Sequence, residues 1–371
     1  MDYKLSEEQE MLKKGARDFF SKELPKSLVK EMAKDTKGYP PELWSKMAGL
    51  GWMGLIVPEK YGGSGGSFFD LAALLEEMGR ACLPGPFFST VVLGALTLLE
   101  AGSEKQKQQL LPKIVKGEVL LTLALAEPNA INSPNFFEVE AKAVGDEYSI
   151  TGTKLFVPDA HVANYLICVA KTEGGITLFL VDTKSTGLRI TPLPTIAGDK
   201  QCEVKFDKVK VAKENVVGKV NRGWEYMEKI LAKATVAMCA EMLGGAQQVL
   251  EMTVDYAKQR VQFGKPIGSF EAVQHHCANM AIDVEGCQFM IYQAAWMLSQ
   301  GMPCTKEIAM TKAWVNGAYQ RVTSLGHQVH GAIAFQQDHD MHLYIKQAKL
   351  GEVTFGDTSY QEEIVARELG L

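Results

Sequence analysis

The residues Arg260-Val261-Gln262-Phe263-Gly264-Lys265-Pro266-Ile267 form a short segment that separates two long helical patterns. Gly264 and Pro266, with Gly268 just beyond them, are residues that end helices and mark turns. The helical patterns of this part of the chain lie at about 224–260, 270–300, 304–330 and 340–350. The last third of the chain is therefore predicted to be a four-helix bundle, in which this segment connects the first two helices.

A region of a different kind precedes the bundle. From about 119 to 217 the sequence shows short apolar or alternating runs separated by turns, which is typical of strands. In one run, Val204, Phe206, Val209 and Val211 alternate with an offset that predicts a β-bulge. We therefore predict a middle domain built of β-strands.

The first third of the chain is predicted to be helical. Ser6 and Gln9 have the spacing of a capping box at the start of a helix. Asp70 is predicted to cap another helix, which runs to about Cys82. The predicted fold class is α+β, with an N-terminal all-α domain (1–118), a middle β-barrel-like domain (119–222) and a C-terminal four-helix bundle (223–371).

Composition excludes several classes of protein. The chain has 371 residues, of which 46% are hydrophobic and 22% charged, as in an ordinary globular protein. A net charge of -5 without runs of Lys or Arg gives no nucleic-acid footprint. The polar segment 1–14 predicts no signal peptide, and the sequence predicts no membrane span. The seven cysteines include no CxxC pair, so reduced thiols and a cytoplasmic location are expected.

Five segments, in the same order along the chain, resemble motifs of the acyl-CoA dehydrogenases. They are Pro58–Gly65, Ala126–Pro128, Arg260–Ile267, Gln328–Ala332 and Ile364–Glu368. The third, with its R-x-x-F-G pattern, is the most specific match, and the fourth is similar to the family's Q-x-x-G-G. The resemblance covers essentially the whole chain, including the order of the three predicted domains.

The resemblance implies a FAD-dependent oxidoreductase that acts on an acyl-CoA thioester. In the family, a base removes the proton α to the thioester carbonyl while the β-hydride moves to the flavin. The resemblance also implies an oligomer and an electron-transfer flavoprotein as the electron acceptor. The FAD of one subunit crosses the interface to a neighbour, whose R-x-x-F-G arginine meets the diphosphate.

Carried onto this chain, the motifs identify candidate cofactor contacts. Those that would face a neighbouring subunit's FAD are Arg260, Gln262, Phe263, Gln328, Gly331 and Ala332. Ala332 replaces the second glycine of the family motif, which places a methyl group where bare backbone should approach the nucleotide. The family's W-I-T-N segment, beside the flavin ring, becomes Phe156, Val157, Pro158 and Asp159. The resemblance therefore implies the loss of a tryptophan and of a hydroxyl that normally bonds the flavin edge.

The catalytic carboxylate is missing from both positions at which the family places it. Ungapped counting from Gln328 to Arg367 aligns the family's Y-E-G-T with 354–357, so Phe355 occupies the position of the glutamate. A phenyl group cannot accept a proton, and loss of a general base costs about 10²–10⁴-fold in rate. Some relatives carry their base on the first long C-terminal helix, at a position where this chain has Ala234.

A heteromeric enzyme explains why neighbour-facing cofactor contacts are kept while the base is lost. The chain then resembles the partner subunit of two-component acyl-CoA dehydrogenases, in an α2β2 assembly with a homologous catalytic subunit. In the alternative, a self-sufficient homotetramer uses Asp357 or Glu241 as a displaced base. Without a catalytic role, Asp357 would be a helix cap and Glu241 a helix-surface or interface acid. A flavin monooxygenase-like relative and a non-catalytic structural subunit are further alternatives.

Several histidines lie close together near the Q-x-x-G segment. His330 belongs to that segment, and His339 and His342 are three residues apart, a spacing that could place them on one helix face. No further ligand motif accompanies them. Surface or interface roles are therefore expected, and no metal site is predicted.

Overall fold

The computed structural model describes residues 5–129 and 136–371. Helices come first along the chain, strands follow in the middle and long helices return at the C-terminal end, which confirms the predicted α+β class. The N-terminal helices are α1 (Glu7–Glu23), α2 (Lys26–Met32), α3 (Pro41–Gly49), α4 (Phe68–Ala81), α5 (Leu96–Ala101) and α6 (Glu104–Val115), with a π-helical segment at Phe88–Ala95. The C-terminal helices are α7 (Gly223–Gln259), α8 (Glu271–Ser299), α9 (Thr305–His330), α10 (Met341–Val353) and α11 (Thr358–Glu368).

Serine caps determine where α1 and α4 begin. Ser6 and Gln9 form the predicted capping box at α1. At α4 the prediction that Asp70 is the cap is wrong, because Ser67 takes that position and the helix starts at Phe68. Asp70 is the third residue of this second capping box, in which its carboxylate accepts the backbone N–H of Ser67 at 2.7 Å.

Two compact units divide the described residues. The first comprises the residues up to Lys30 together with Ser67–Leu83 and Ala232–Leu371. The second comprises Glu31–Gly66 and Pro84–Leu231 and contains the large sheet. The N-terminal helices therefore belong partly to one unit and partly to the other. Within 5–129 and 136–371, no helix is both long and apolar enough to cross a membrane.

The second unit is built on a mixed sheet, which comprises eight strands in the described ranges. They are β1 (Leu121–Ala124), β2 (Glu140–Val144), β3 (Glu147–Pro158), β4 (Tyr165–Thr172), β5 (Gly175–Asp182), β6 (Leu188–Leu193), β7 (Gln201–Ala212) and β8 (Val216–Val217). The order is β6-β7-β3-β2-β4-β5-β8, and β1 pairs in parallel with β4. The predicted offset in β7 is confirmed, since its register shifts against β3 and Lys208 has a φ of 52° while Val204, Phe206, Val209 and Val211 stay buried.

In the first unit, two glycines let α4 and α7 cross with their backbones in contact. A Cβ at Gly79 would lie 1.9 Å from the carbonyl oxygen of Glu241. A Cβ at Gly244 would lie 1.7 Å from the carbonyl oxygen of Glu76. Neither position can carry a side chain unless the backbone moves, so this crossing fixes the position of α7.

A buried network of charges joins α4 to α1. The side chains of Glu76 and Glu77 have 0% of their surface exposed. Glu76 pairs with Lys13 and accepts the hydroxyl of Tyr292 at 2.8 Å. Glu77 accepts two hydrogen bonds from Arg17, at 2.9 and 2.8 Å. Glu77 also pairs with Arg80 at 3.4 Å, so each of these buried carboxylates has at least two polar partners.

We expect Gly244→Ala to destabilise the protein by about 2 kcal/mol or more, because a rotamer change cannot relieve a clash with backbone. Gly15→Ala is the matched control. Gly15 lies inside α1 with no atom within 4 Å of its Cβ position, so alanine should stabilise that helix by up to about 1 kcal/mol. Urea unfolding followed by circular dichroism gives both free energies of unfolding, and equal effects of the two substitutions would contradict the backbone crossing.

Candidate functional site

Residues 260–267 fold into a β-hairpin directly after α7. In the first unit, β9 (Val261–Gln262) pairs with β10 (Lys265–Pro266), and the turn residues Phe263 and Gly264 have φ of 55° and 81°. Two successive positive φ angles are typical of a two-residue hairpin turn. Phe263 is 92% exposed. The hairpin therefore exposes an apolar ring to solvent. The left-handed backbone conformation at Phe263 is unfavourable for a residue with a side chain and costs conformational free energy.

Arg260 lies at the base of this hairpin. Its carbonyl oxygen accepts the N–H of Ile267 at 2.8 Å, which closes the hairpin. Its guanidinium is exposed, and among the described residues no carboxylate pairs with it. Gln262 is also exposed, and its amide donates to the carbonyl of Val261 at 2.9 Å. An exposed guanidinium without a partner is well suited to bind an anion such as a diphosphate.

The second candidate cofactor segment, Gln328–Ala332, forms the end of α9 and the turn after it. Gln328 is exposed in the last turn of the helix. Gly331 has φ 67° and ψ -146°, a combination that is open to glycine and not to residues with a side chain. No atom lies within 4 Å of the position that a Cβ would take at Gly331, and Ala332 is exposed. Bare backbone is therefore accessible to a ligand at this turn.

A ring contact brings the two motifs together within the first unit. The backbone N–H of Arg260 donates to the carbonyl of Tyr256 at 2.8 Å. The ring of Tyr256 stacks on that of His330, with 4.4 Å between centroids and 20° between planes. Since His330 directly precedes Gly331, the end of α7 and the turn after α9 lie side by side.

The candidate flavin-edge segment lies at the end of β3, in the second unit. Phe156 has a φ of 52° and is 60% exposed, whereas Val157 is 1% exposed. Pro158 has no N–H, and its carbonyl accepts the hydroxyl of Thr122 at 2.6 Å. None of these three side chains can form a hydrogen bond with a ligand, because each is a hydrocarbon.

A buried acid follows this segment, and sequence reasoning gave it no role. Asp159 is 9% exposed and accepts the hydroxyl of Ser89 at 2.6 Å. Burial raises the pKa of Asp159 to about 7, although the Ser89 bond acts in the opposite direction. No sequence signal marks Asp159, because Ser89 lies on the π-helical segment, far away along the chain.

The loop that contains Phe355 connects α10 to α11 in the first unit. Phe355 has a φ of 59° and Gly356 a φ of 98°. The carbonyl of Phe355 accepts the amide of Gln361 at 2.8 Å, and a Cβ at Gly356 would lie 2.4 Å from the ring of Tyr360. The shape of the loop is therefore set by backbone angles and by α11, and none of these contacts depends on which side chain stands at 355.

The two candidate displaced bases have different surroundings. Asp357 is exposed, and its carboxylate accepts the N–H of Tyr360 at 2.9 Å as the N-cap of α11, so the helix-cap interpretation is confirmed. Glu241 is half-buried on α7, and its side chain has no hydrogen bond or ion pair within the described part of the chain. Burial alone raises the pKa of Glu241 to about 8.

A buried lysine beside the Phe355 loop is another feature that sequence reasoning missed. Lys312 of α9 is 0% exposed, and its ammonium donates to the carbonyl of Gly351 and to Oδ1 of Asn316, the latter at 2.6 Å. Burial lowers the pKa of Lys312 to about 8. A signal existed, since Ile308, Lys312, Val315 and Tyr319 lie on one face of α9 and are all buried.

Comparisons with known proteins identify the family. The N-terminal, middle and C-terminal domain models of acyl-CoA dehydrogenase match residues 6–118, 122–209 and 221–370. The probable acyl-CoA dehydrogenase YngJ of Bacillus subtilis (strain 168) is 33% identical over 100% of this chain and 100% of that protein. The chain therefore belongs to the acyl-CoA dehydrogenase family.

Solved structures are similar over the same length. Butyryl-CoA dehydrogenase of Megasphaera elsdenii has a TM-score of 0.93 and 28% identity and covers 100% of both chains. A chain of the ChsE4-ChsE5 complex from Mycobacterium tuberculosis has a TM-score of 0.93 and 29% identity and covers 100% of this chain and 99% of that one. The family comprises FAD-dependent oxidoreductases of acyl-CoA thioesters. The predicted fold, enzyme class and cofactor are thus confirmed at the level of the family.

We expect Asp159→Asn to stabilise the protein increasingly as the pH rises. The folded pKa is raised above the ordinary 3.8 to about 7, so wild-type stability is greatest below the ordinary value and falls until the pH passes the folded value. Asparagine keeps an acceptor for Ser89 and cannot ionise. Its stabilising effect should grow by about 2 kcal/mol between pH 5.5 and pH 8.

Thermal and urea unfolding at both pH values measure this difference. Asp207→Asn is the control, since Asp207 is exposed beside the bulge of β7. A gain that does not change with pH in Asp159→Asn, or one that the control reproduces, would show that Asp159 is not buried as an acid.

Proposed function

We propose that this chain is one subunit of a heteromeric, FAD-dependent acyl-CoA dehydrogenase whose homologous partner supplies the catalytic base. In this proposal the assembly is α2β2, the substrate is an acyl-CoA and the electron acceptor is an electron-transfer flavoprotein. The observation that carries the proposal is the phenyl ring at Phe355, in a loop whose backbone is otherwise fully organised. The seven cysteines are free, which supports a cytoplasmic site of action.

The chain lacks a proton acceptor at both expected positions. Phe355 occupies the first, and Asp357, two residues later, is engaged as a helix cap. At the second, Ala234 is 0% exposed and carries only a methyl group. Without a general base the rate of α-proton removal falls about 10²–10⁴-fold. A partner that carries the carboxylate removes this deficit.

The residues that would hold a partner's FAD fit that group. Arg260 is exposed and without a carboxylate partner in the described ranges, as a diphosphate contact requires. Gly331 exposes bare backbone with open space over it, which suits the approach of a nucleotide. Phe263 adds an exposed apolar ring at the tip of the same hairpin as Arg260. Bound FAD supplies the acceptor for the β-hydride, and this chain's residues bind and orient its nucleotide half.

Exposed apolar side chains on α8 and α9 support assembly through the C-terminal helices. Ile282 is 67% and Phe289 55% exposed on α8, and Trp314 is 43% exposed on α9. The guanidinium of Arg321 lies over the Trp314 ring at 5.4 Å. Exposed aromatic side chains of this kind are enriched at protein interfaces. The similar chain of the ChsE4-ChsE5 complex makes a two-component partner plausible for this fold.

Flavin content tests the proposal. The chain purified alone should be colourless, and co-expression with a homologous subunit that carries the catalytic glutamate should give a yellow complex with acyl-CoA dehydrogenase activity. In that complex, Arg260→Ala should lower the affinity for FAD about tenfold or more, because a charge-assisted bidentate contact is lost. Arg189→Ala, at an exposed position of β6, is the matched control. A yellow, active homo-oligomer would refute the heteromeric assembly.

A self-sufficient enzyme is the second candidate, and Glu241 is the observation that favours it. Its carboxyl is half-buried and without a partner in the described residues, and its pKa is raised to about 8. A base must be deprotonated to work, so activity from Glu241 would rise as the pH passes about 8 and would disappear in Glu241→Gln. Under our proposal the isolated chain shows no such activity between pH 7 and pH 9.

Asp357→Ala separates capping from catalysis in the same assay. We expect it to destabilise α11 by about 1 kcal/mol through loss of the N-cap and to leave turnover of the two-subunit complex unchanged. Unfolding measurements and steady-state kinetics on the same preparation test both parts. Loss of turnover with unchanged stability would identify Asp357 as a base instead.

A further inference from the structure

Four histidines of the first unit lie together around the end of α9 and the start of α10. They are His327, His330, His339 and His342, here called the histidine cluster. The ring centroids of His330 and His339 are 5.1 Å apart. His327 and His330 are 7% and 6% exposed, and the other two are half-buried. The function proposed above uses none of these side chains.

One hydrogen bond disfavours protonation of the cluster, and it is made to His339. The backbone N–H of Met341 donates to Nδ1 of His339 at 3.1 Å, so that nitrogen carries no proton. In His330 and His342, Nδ1 donates to a carbonyl oxygen, of Gly326 at 2.8 Å and of His339 at 2.6 Å. These two bonds act to raise the pKa of the rings, but burial has the larger effect and lowers it. A second proton on His339 would have to displace the bond from Met341.

The charges that face the cluster also disfavour protonation. Lys30 of α2 and Lys346 of α10 are nearby cations. Asp340 has the opposite effect, but its carboxylate already pairs with the ammonium of Lys30 at 2.8 Å. Burial is the largest cause, and together with repulsion between the rings it lowers the pKa of His330 and His339 below the ordinary 6.5.

The cluster packs against both ends of the turn that contains Gly331. His330 directly precedes Gly331, and its ring stacks on Tyr256 of α7 with 4.4 Å between centroids. His327 contacts Phe335 at the far end of the turn, with 5.3 Å between centroids. These contacts fix a backbone conformation that only glycine can adopt at 331.

We propose that the histidine cluster positions the Gly331 turn and makes its contact with the nucleotide dependent on pH. Neutral rings pack together and keep the turn closed. Protonation of two or more rings would place like charges about 5 Å apart in partly buried surroundings, and the turn would open. The cofactor part of this inference rests on the proposed contact between Gly331 and a partner's FAD, whereas the opening of the turn does not.

The pH window follows from the direction of the shifts. Histidines of the unfolded chain bind protons near pH 6.5. The folded cluster binds them only at lower pH, because the pKa values of His330, His339 and His342 are lowered. The closed turn is therefore fully stabilised above about pH 6.5 and loses stability as the pH falls below that value.

Hydrogen exchange followed by mass spectrometry on the purified chain tests the opening of the turn. Protection factors, from which the intrinsic exchange rate is divided out, should fall about tenfold for residues 331–342 between pH 7.5 and pH 5.5. In the double variant His339→Gln, His342→Gln they should fall less than about threefold. His275→Gln is the control, because that side chain is 69% exposed on α8. The same fall in the double variant and the wild type overturns the proposal.

His330→Phe provides an independent variant if the double variant folds poorly. Phenylalanine retains a ring that can stack on Tyr256 but cannot be protonated. A protection factor for residues 331–342 that changes less than about threefold with pH in this variant supports the proposal. Full wild-type pH dependence in the same variant overturns it.

Flavin retention by the two-subunit complex tests the link to the cofactor. Dialysis at pH 7.5 and pH 5.5, followed by absorbance spectra, should show flavin lost at the lower pH from the wild type and kept by the double variant. If the protection factors change as expected while flavin is retained equally at both pH values, the proposed nucleotide contact is wrong and the role of the cluster stands. If flavin is lost without a change in protection, the role of the cluster is wrong.

Discussion

The backbone contact between α4 and α7 is the constraint on which the first unit depends. Gly79 and Gly244 have no side chains, so the two helices approach until a carbonyl of each lies where the other's Cβ would be. α7 is 37 residues long, and one such contact point fixes where both its buried positions and its far end lie. Ala234 and Glu241 are placed by the crossing itself, and the Arg260 hairpin follows the same helix. The close approach of the two backbones thus helps to position both the candidate base positions on α7 and the candidate cofactor contact at Arg260.

The lost base did not require a change of fold. The loop around Phe355 is held by the bond from Gln361, by the ring that closes over Gly356, by the cap at Asp357 and by the ammonium of Lys312 on the last turn of α10. All four contacts act on the backbone or on neighbouring residues. None of these four contacts requires an acid at 355, where this chain has a phenyl ring instead of the glutamate that the resemblance implies.

The sequence predicted what local patterns determine. The helix break near Gly264 and the bulge in β7 follow from residues a few positions apart, and the structure contains both, although the hairpin that forms at the break was not predicted. The cap of α4 was assigned wrongly although its signal was present. Ser67 and Asp70 form a capping box, and either residue type can be an N-cap, so the pair alone does not show which of the two starts the helix. The sequence thus contained both residues of the cap, and the prediction chose the wrong one of the two.

The partners of the buried charges were not predictable in this way. The burial of Lys312 depends on the carbonyl of Gly351, and that of Asp159 on the hydroxyl of Ser89, and both partners are distant along the chain. A charged residue in a helical pattern is usually solvated, so local reasoning assigns it to the surface. The apolar face of α9 indicates the burial of Lys312, but only the tertiary contacts show which groups pair with Lys312 and Asp159 and how burial alters their proton affinities.

The two halves of the candidate site depend on different physical terms, which is why one can persist without the other. Contact with a nucleotide needs an exposed cation and open backbone, and Arg260 and Gly331 provide these at the surface with little cost to folding. Proton removal needs a carboxylate in a partly buried site. Removing that charge from water costs free energy, which lowers the stability of the chain that carries it. Phe355 and Ala234 avoid that cost. In the heteromer proposed above, a partner would carry the buried acid while this chain binds part of the cofactor, so that the two demands would fall on different chains.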